Sequence, residues 1–423
     1  MSLRYSNKIG LFLTLLSCGV YLFSSIKGSP QVFSVLFLLA LLVYSRFFQK
    51  LDSIPKEIKF IAYAFAGIFF TTFPNMFVND SFSYGLRIFN MPLGYLVGAF
   101  LLVLLIGSRI ILNQKIIFYM IGVACFVNGL IAVFQKVFLD IDRVGGFSGI
   151  SEFGNVGSVL GLCALACFLR LNSSLKEKIF FGMAVIFAII VMIFSETRGV
   201  ILGFVVGSIA LFILFILFNS NKHIRLKLLK KIIFFIVIGG VVLAFVPQVR
   251  SSMARFYQAN SDIKEYKENN YNTSLGLRFE MWKEAIAIIK LSPIIGLSPK
   301  SICDRKYEIN RLAKSDRDPK TLNCYGRYHN EILNTLARKG ILGLLALLAT
   351  WLSIGIFSIK AIQKRKGNIP AYMMMGILVY YIVSGGSGEP MSAFMDGNFF
   401  IITMVILSSL AYWGIKKGQE GCC

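Results

Sequence analysis

VILGFVVGSIALFILFILF, residues 200–218, runs nineteen positions without a charge. At about 1.5 Å of rise per residue, such a helix nearly spans the roughly 30 Å hydrocarbon layer of a bilayer. Outward from it, apolar runs recur at 9–26, 31–48, 60–78, 88–106, 116–137, 154–171, 179–194, 232–246, 341–359, 371–383 and 399–415. Charges, Pro/Gly pairs or polar clusters bound each run. Twelve spans predict an all-α, polytopic membrane protein with both termini on one side. The composition of the 423 residues agrees, with 56% hydrophobic and only 15% charged residues and a mean hydropathy of +0.70. Soluble domains carry about a quarter charged residues, so a soluble enzyme of this length is excluded.

The chain has 44 Lys and Arg against 21 Asp and Glu, a formal +23. In a soluble protein that excess would suggest nucleic acid, but here the charges fall between the apolar runs, and no nucleic-acid partner is expected. Basic residues of short loops collect on the cytoplasmic face. One set of tails and loops holds 22 of them and the opposite short loops hold 5, Lys27, Arg87, Lys136, Arg143 and Arg198. Both termini are therefore expected in the cytoplasm. The remaining 17 lie in one long outer segment, which translocates regardless of charge. The expected organisation is nine spans over 1–246, a large helical periplasmic loop over 247–339 carrying the chemistry, and three spans plus a cytoplasmic tail over 340–423. The first run can be read as a cleaved signal peptide, but that leaves eleven spans and an unexplained loop pattern, so a retained span is expected.

Cys18, Cys125, Cys163 and Cys167 fall within apolar runs and read as packing residues. Cys422 and Cys423 end the cytoplasmic tail. Only Cys303 and Cys324 lie in the outer loop. A bridge between them would close a loop of about 20 residues and stabilise it by about 3 kcal/mol; the other reading is two free thiols.

Polar groups at membrane depth or at its edge are costly and mark function by default. Arg198, in the turn Ser195-Glu196-Thr197-Arg198-Gly199, sits at the outer interface. It either snorkels towards headgroups or grips the phosphate of a lipid-linked substrate with its two-pronged guanidinium. Arg278 opens a helical stretch, 278–289, that ends before Ser292-Pro293. There Trp282, Ala285, Ile286 and Ile289 make an apolar face suited to packing on the bundle or lying in the interface. Arg278 either pairs with Glu280 or another acid, or is a second anion ligand. His223 lies among cytoplasmic lysines and reads as solvated. His329 precedes a helix that Asn330 is placed to cap. Arg198, Arg278 and Arg327 near it would keep its imidazole neutral, as a general base requires, although a structural histidine fits that junction too. The pairs Asp140/Asp142 and Asp316/Asp318 are weak metal motifs with Arg143, Arg317 and Lys320 beside them, and no metal is expected. Glu389, in Ser384-Gly385-Gly386-Ser387-Gly388-Glu389-Pro390, is a further outer acid.

The Thr197-Arg198-Gly199 turn, the long outer loop, Leu275-Gly276-Leu277-Arg278 with Trp282, Pro293 and Gly296, and His329-Asn330-Glu331 followed by Gly340-Ile341-Leu342-Gly343 together resemble the O-antigen ligase (WaaL) family, within the wider ligase and polymerase group. The motifs span about 190–345; the amino-terminal half is similar only in hydropathy and span count. The resemblance implies a twelve-span glycosyltransferase of the C type in the Gram-negative inner membrane, with its active site facing the periplasm. Such a ligase moves O-antigen from undecaprenyl pyrophosphate to the outer core sugar of lipid A-core. It implies Arg198 and Arg278 as pyrophosphate-binding residues and His329 as catalytic base, with Arg327 and Glu389 as further candidates, and neither cofactor nor metal. Its partners would be the lipid-linked glycan, the lipid A-core acceptor and membrane lipids. A polymerase extending lipid-linked glycan is the nearest alternative, but polymerases tend to carry two large outer loops. A transporter would show ionisable residues at mid-membrane or broken helices in paired halves.

Overall fold

The computed structural model describes residues 2–43, 54–77, 82–170, 173–218, 260–268, 270–315, 317–318, 320 and 326–420, with isolated positions 226, 230, 233 and 258. His223, Asp316, Cys324, Cys422 and Cys423 lie outside the described residues, as does nearly all of the ninth run. The architecture is all-α. Helices α1 (Ser2–Leu22), α2 (Ser29–Val43), α3 (Lys56–Phe70), α4 (Phe73–Phe77), α5 (Phe82–Gly107), α6 (Gln114–Val137), α7 (Ile150–Leu169), α8 (Leu175–Ser195) and α9 (Arg198–Phe218) precede the long loop. Within the loop come α10 (Ser274–Leu291), α11 (Pro299–Asp304) and α12 (Lys306–Ala313); after it come α13 (Glu331–Lys364), α14 (Ile369–Ser384) and α15 (Phe394–Glu420). Among the described residues, six helices are long and apolar enough to cross a membrane, and four shorter apolar helices accompany them. The molecule is a polytopic membrane protein. Among the described residues, Ile26 and Phe147 form an isolated β-bridge and no β-strand is present.

Polar side chains start the helices where the sequence allows it. Asn113 accepts from the backbone N–H groups of Lys115 and Ile116 at the start of α6, and Ser174 with Glu177 closes a capping box on α8. Inside the bundle α7 is central and buried from Phe153 to Leu169, packed against α8, α9 and α14. Lipid tails are as apolar as these side chains, so association rests on close van der Waals packing rather than on escape from water. The third apolar run is not one helix, as expected, but two. Residues Thr71 and Thr72 turn their hydroxyls back onto the Ile68 carbonyl, and α4 begins beyond them with Pro74 in its first turn.

The loop forms a small domain with its own core, Ala285, Ile288, Leu297, Ile302, Ile309 and Tyr328, seated on Ala337 of α13. The face of α10 differs from the expected one. Ile286 is exposed, while Glu280 and Glu284 are buried. Burial of those carboxylates is made tolerable by partners: Glu280 accepts from Tyr266, Lys283 and Ser315, and Glu284 pairs with Arg317 at 3.3 Å. Burial still pushes the Glu284 carboxyl up to about 7, against the pull of Arg317. Cys303 is disulfide-bonded, whereas Cys18, Cys125, Cys163 and Cys167 are free and buried.

Two glycines lock the domain to the bundle. Gly296 has φ +70° and Gly340 φ +62°, and Gly340 breaks α13 into two helical stretches. A Cβ on Gly340 would stand 2.2 Å from the backbone of Ile294, and one on Gly296 would stand 2.5 Å from the backbone of Arg338 and Lys339. This approach lets Ile341 N–H donate to Pro293 O at 2.9 Å and Leu297 N–H to Ala337 O at 2.9 Å. Asn75, at the far end of α4's first turn, donates its amide to both Ile295 O, at 2.9 Å, and Arg338 O.

Candidate active site

Five chain segments meet at the end of the bundle that carries the loop domain. The start of α9, Arg278 near the start of α10, the approach to α13 and the 384–396 segment line one cleft of about 150 Å³ together with the start of α7. Arg278, Arg327, His329 and Glu389 all border it.

Arg198 is the first residue of α9. The turn before it closes with Glu196 in the left-handed conformation, φ +51°, as C-cap of α8. Gly199 and Val200 line the cleft, and a Cβ on Gly199 would stand 1.9 Å from the Ser387 hydroxyl, which would have to turn away. Arg278 follows the Thr273 cap of α10, whose side chain accepts from Gly276 N–H. It does not pair with Glu280, whose oxygens are held by Tyr266, Lys283 and Ser315. Burial lowers the pKa of Arg278, and the positive charge of Arg198 lowers it further while Glu389 opposes. The two guanidinium groups therefore share one electrostatic field.

His329 has φ +49°, left-handed backbone that a non-glycine residue adopts at a cost of about 1 kcal/mol or more. Its neighbours on both sides hold that backbone. Trp282 of α10 donates its indole N–H to Tyr328 O at 2.9 Å. Asn330 caps α13, accepting from Leu333 N–H at 3.0 Å, and donates its amide to Gly386 O at 3.3 Å. Glu331 N–H donates to Gly385 O at 2.7 Å, and the buried Glu331 carboxylate accepts from Met391 N–H, at 2.8 Å, and from the Ser392 hydroxyl. The 384–396 connection and the foot of α13 are thus stitched together through backbone groups.

Glu389 is buried, and its carboxylate lies 3.7 Å from Arg327 Nε and 4.0 Å from His329 Nδ1. Burial pushes its carboxyl up to about 7, against Arg327 and Arg278, which pull it down. His329 moves the other way. Burial lowers its pKa below the ordinary 6.5, and Arg278 and Arg327 lower it further. The imidazole is accordingly neutral at neutral pH, half exposed and open to the cleft.

The structure brings Arg278, Arg327, His329 and Glu389 to one cleft, with Arg198 beside it. Asp140 and Asp142 do not line it, nor does Asp318, whose carboxylate accepts from Lys320 N–H. Three bundle residues at the cleft escaped the reading of the sequence: Glu152 and Asn155 of α7 and Asp396 of α15. Their sign was a polar side chain at the mouth of an apolar run, the same sign that marks Arg198.

Residues 183–348 match the family model described as O-antigen ligase. That family comprises glycosyltransferase-like enzymes of O-antigen processing, and the matched region contains Arg198, Arg278, Arg327 and His329 but not Glu389. An uncharacterized protein of Haemophilus influenzae is 28% identical over 375 residues, covering 86% of this chain and 89% of the relative.

Proposed function

We propose that this membrane protein, with its O-antigen ligase family domain, transfers O-polysaccharide from undecaprenyl pyrophosphate to the outer core sugar of lipid A-core at the periplasmic face of the Gram-negative inner membrane. The observation that carries the reading is that Arg278 and a neutral His329 share one cleft where the loop domain joins the bundle, with Arg198 close enough to act on Arg278. Glycosyl transfer needs charge stabilised on the departing diphosphate. Fixed guanidinium groups supply it without reorganising, and their effect is largest where water is excluded. Arg198 and Arg278 hold the diphosphate. His329 takes the proton of the acceptor hydroxyl as its oxygen bonds to the anomeric carbon from the face opposite the leaving group. The carbon–oxygen bond to the diphosphate breaks, the lipid diphosphate departs with the electron pair, and the configuration at that carbon inverts. Glu389 lies on the Nδ1 side of the ring, leaving Nε2 for the hydroxyl. No metal is required by this scheme.

The test is His329→Ala in a strain lacking this chain. Polymer attachment to lipid A-core, read as gel-shifted lipopolysaccharide, should vanish while lipid-linked polymer of normal length accumulates. Near-normal attachment with a well-expressed variant refutes the base assignment. Loss of polymer length in the deletion strain would instead identify a polymerase.

A further inference from the structure

The cleft is electrically two-sided. Arg278 and Arg327 reach it from the loop domain and its junction, whereas Glu152 and Asp396 reach it from the bundle. Asp396 is 3% exposed and is aimed by a chain of hydrogen bonds. Tyr380 donates its hydroxyl to Asn155 Oδ1, which fixes the amide so that Nδ2 donates to Asp396 Oδ2 at 2.7 Å. Asp396 Oδ1 has no donor. A buried carboxylate oxygen without a hydrogen bond is unfavourable, and a donor arriving in the cleft would relieve it. Glu152 is half exposed on the first turn of α7, one helical turn before Asn155.

Carboxyl groups exchange hydrogen bonds with hydroxyls and offer a phosphate no positive charge. Among the described residues these acids are not gathered as a cation's ligands would be. What suits them is a hydroxyl-rich group attached to something anionic, which is the constitution of a glycosyl diphosphate. We propose that Asp396 and Glu152 bind hydroxyl groups of the sugar ring joined directly to the donor's diphosphate, so that the donor lies with its diphosphate on the arginines and its first sugar against the bundle. This rests on the glycosyl transfer proposed above and adds to it a specificity subsite and a direction for the donor.

The experiment measures binding of two probes to the purified full chain in lipid nanodiscs: a polyprenyl diphosphate carrying one sugar, and the same lipid diphosphate without sugar. Asp396→Asn and Glu152→Gln should each weaken the sugar-bearing probe about 10-fold, the worth of one hydrogen bond, and leave the sugar-free probe unchanged. Arg278→Ala should weaken both. Sugar-bearing probes lacking single ring hydroxyls supply a second measurement on the unaltered protein. One of them should lose as much as Asp396→Asn does and lose nothing more when combined with it. The inference is overturned if neither probe weakens or if both weaken equally. Those outcomes leave the transfer reading standing. Failure of the unaltered protein to bind either probe would remove that reading and this inference together.

Discussion

Replacing Trp282 with Phe isolates the contribution of one hydrogen bond to catalysis. The indole N–H lies 2.9 Å from the carbonyl of Tyr328, immediately before His329, and nothing else about the ring touches the cleft. Phenylalanine keeps the aromatic body that packs edge-on against Phe279 at 5.6 Å and removes only the donor. His329 sits in left-handed backbone that relaxes unless its neighbours hold it. A lost hydrogen bond that strands its carbonyl partner costs about 1–2 kcal/mol. The held conformer then falls in population by about 5- to 30-fold. In the proposed mechanism Arg198 and Arg278 hold the diphosphate, so the donor still binds. The expected result is a kcat about 10-fold lower with an unchanged donor KM, measured with purified protein, lipid-linked donor and lipid A-core acceptor. Combined with His329→Ala, the substitution should cost nothing further, since both act through one imidazole. A kcat within about twofold of the unaltered protein, or a loss confined to KM, would refute the positioning role.

Arg198→Lys and Arg278→Lys should each slow transfer by about 10- to 100-fold, because an ammonium cannot reproduce the two-pronged contact; full activity in either would reduce that residue to a surface charge. The rate should fall as pH drops through the His329 pKa, which lies below 6.5. Arg327 helps to hold that pKa down, so Arg327→Ala should move the acid limb of the pH profile to higher pH; a limb that stays or moves down contradicts the electrostatic account. Gly340→Ala should destabilise by about 3 kcal/mol or more, from a left-handed backbone and a collision with Ile294, read as a lower midpoint of thermal unfolding in detergent; an unchanged midpoint would show that the crossing can rearrange freely.

Much of the fold is legible because charge-free stretches of about 20 residues have one stable environment. The site is legible in part, since an arginine or histidine at the rim of a bundle has few structural reasons to be there. Less visible were features that depend on a partner far along the chain. Glu280 and Glu284 are polar letters on what became the inner face of α10, and only Tyr266, Lys283, Ser315 and Arg317 make them tolerable there. Ile286, apolar by letter, faces outward. The break after Phe70 was hidden because threonine hydroxyls that fold back onto Ile68 look, in sequence, like the continuation of an apolar run. Trp282 read as a packing residue, and its donor function appeared only once Tyr328 O stood beside it.

The seam between the foot of α13 and residues 384–392 bears on how the protein is made. His329 is translated well before Gly385, Gly386 and Met391, the groups that fasten its flanking residues. A chain still on the ribosome, with α13 threaded but α14 and α15 not yet released, carries every arginine of the site and its histidine without the clamp that orients them. The seam is therefore completed only when α14 and α15 have joined α13, so the orientation of His329 is among the last features of the molecule to form.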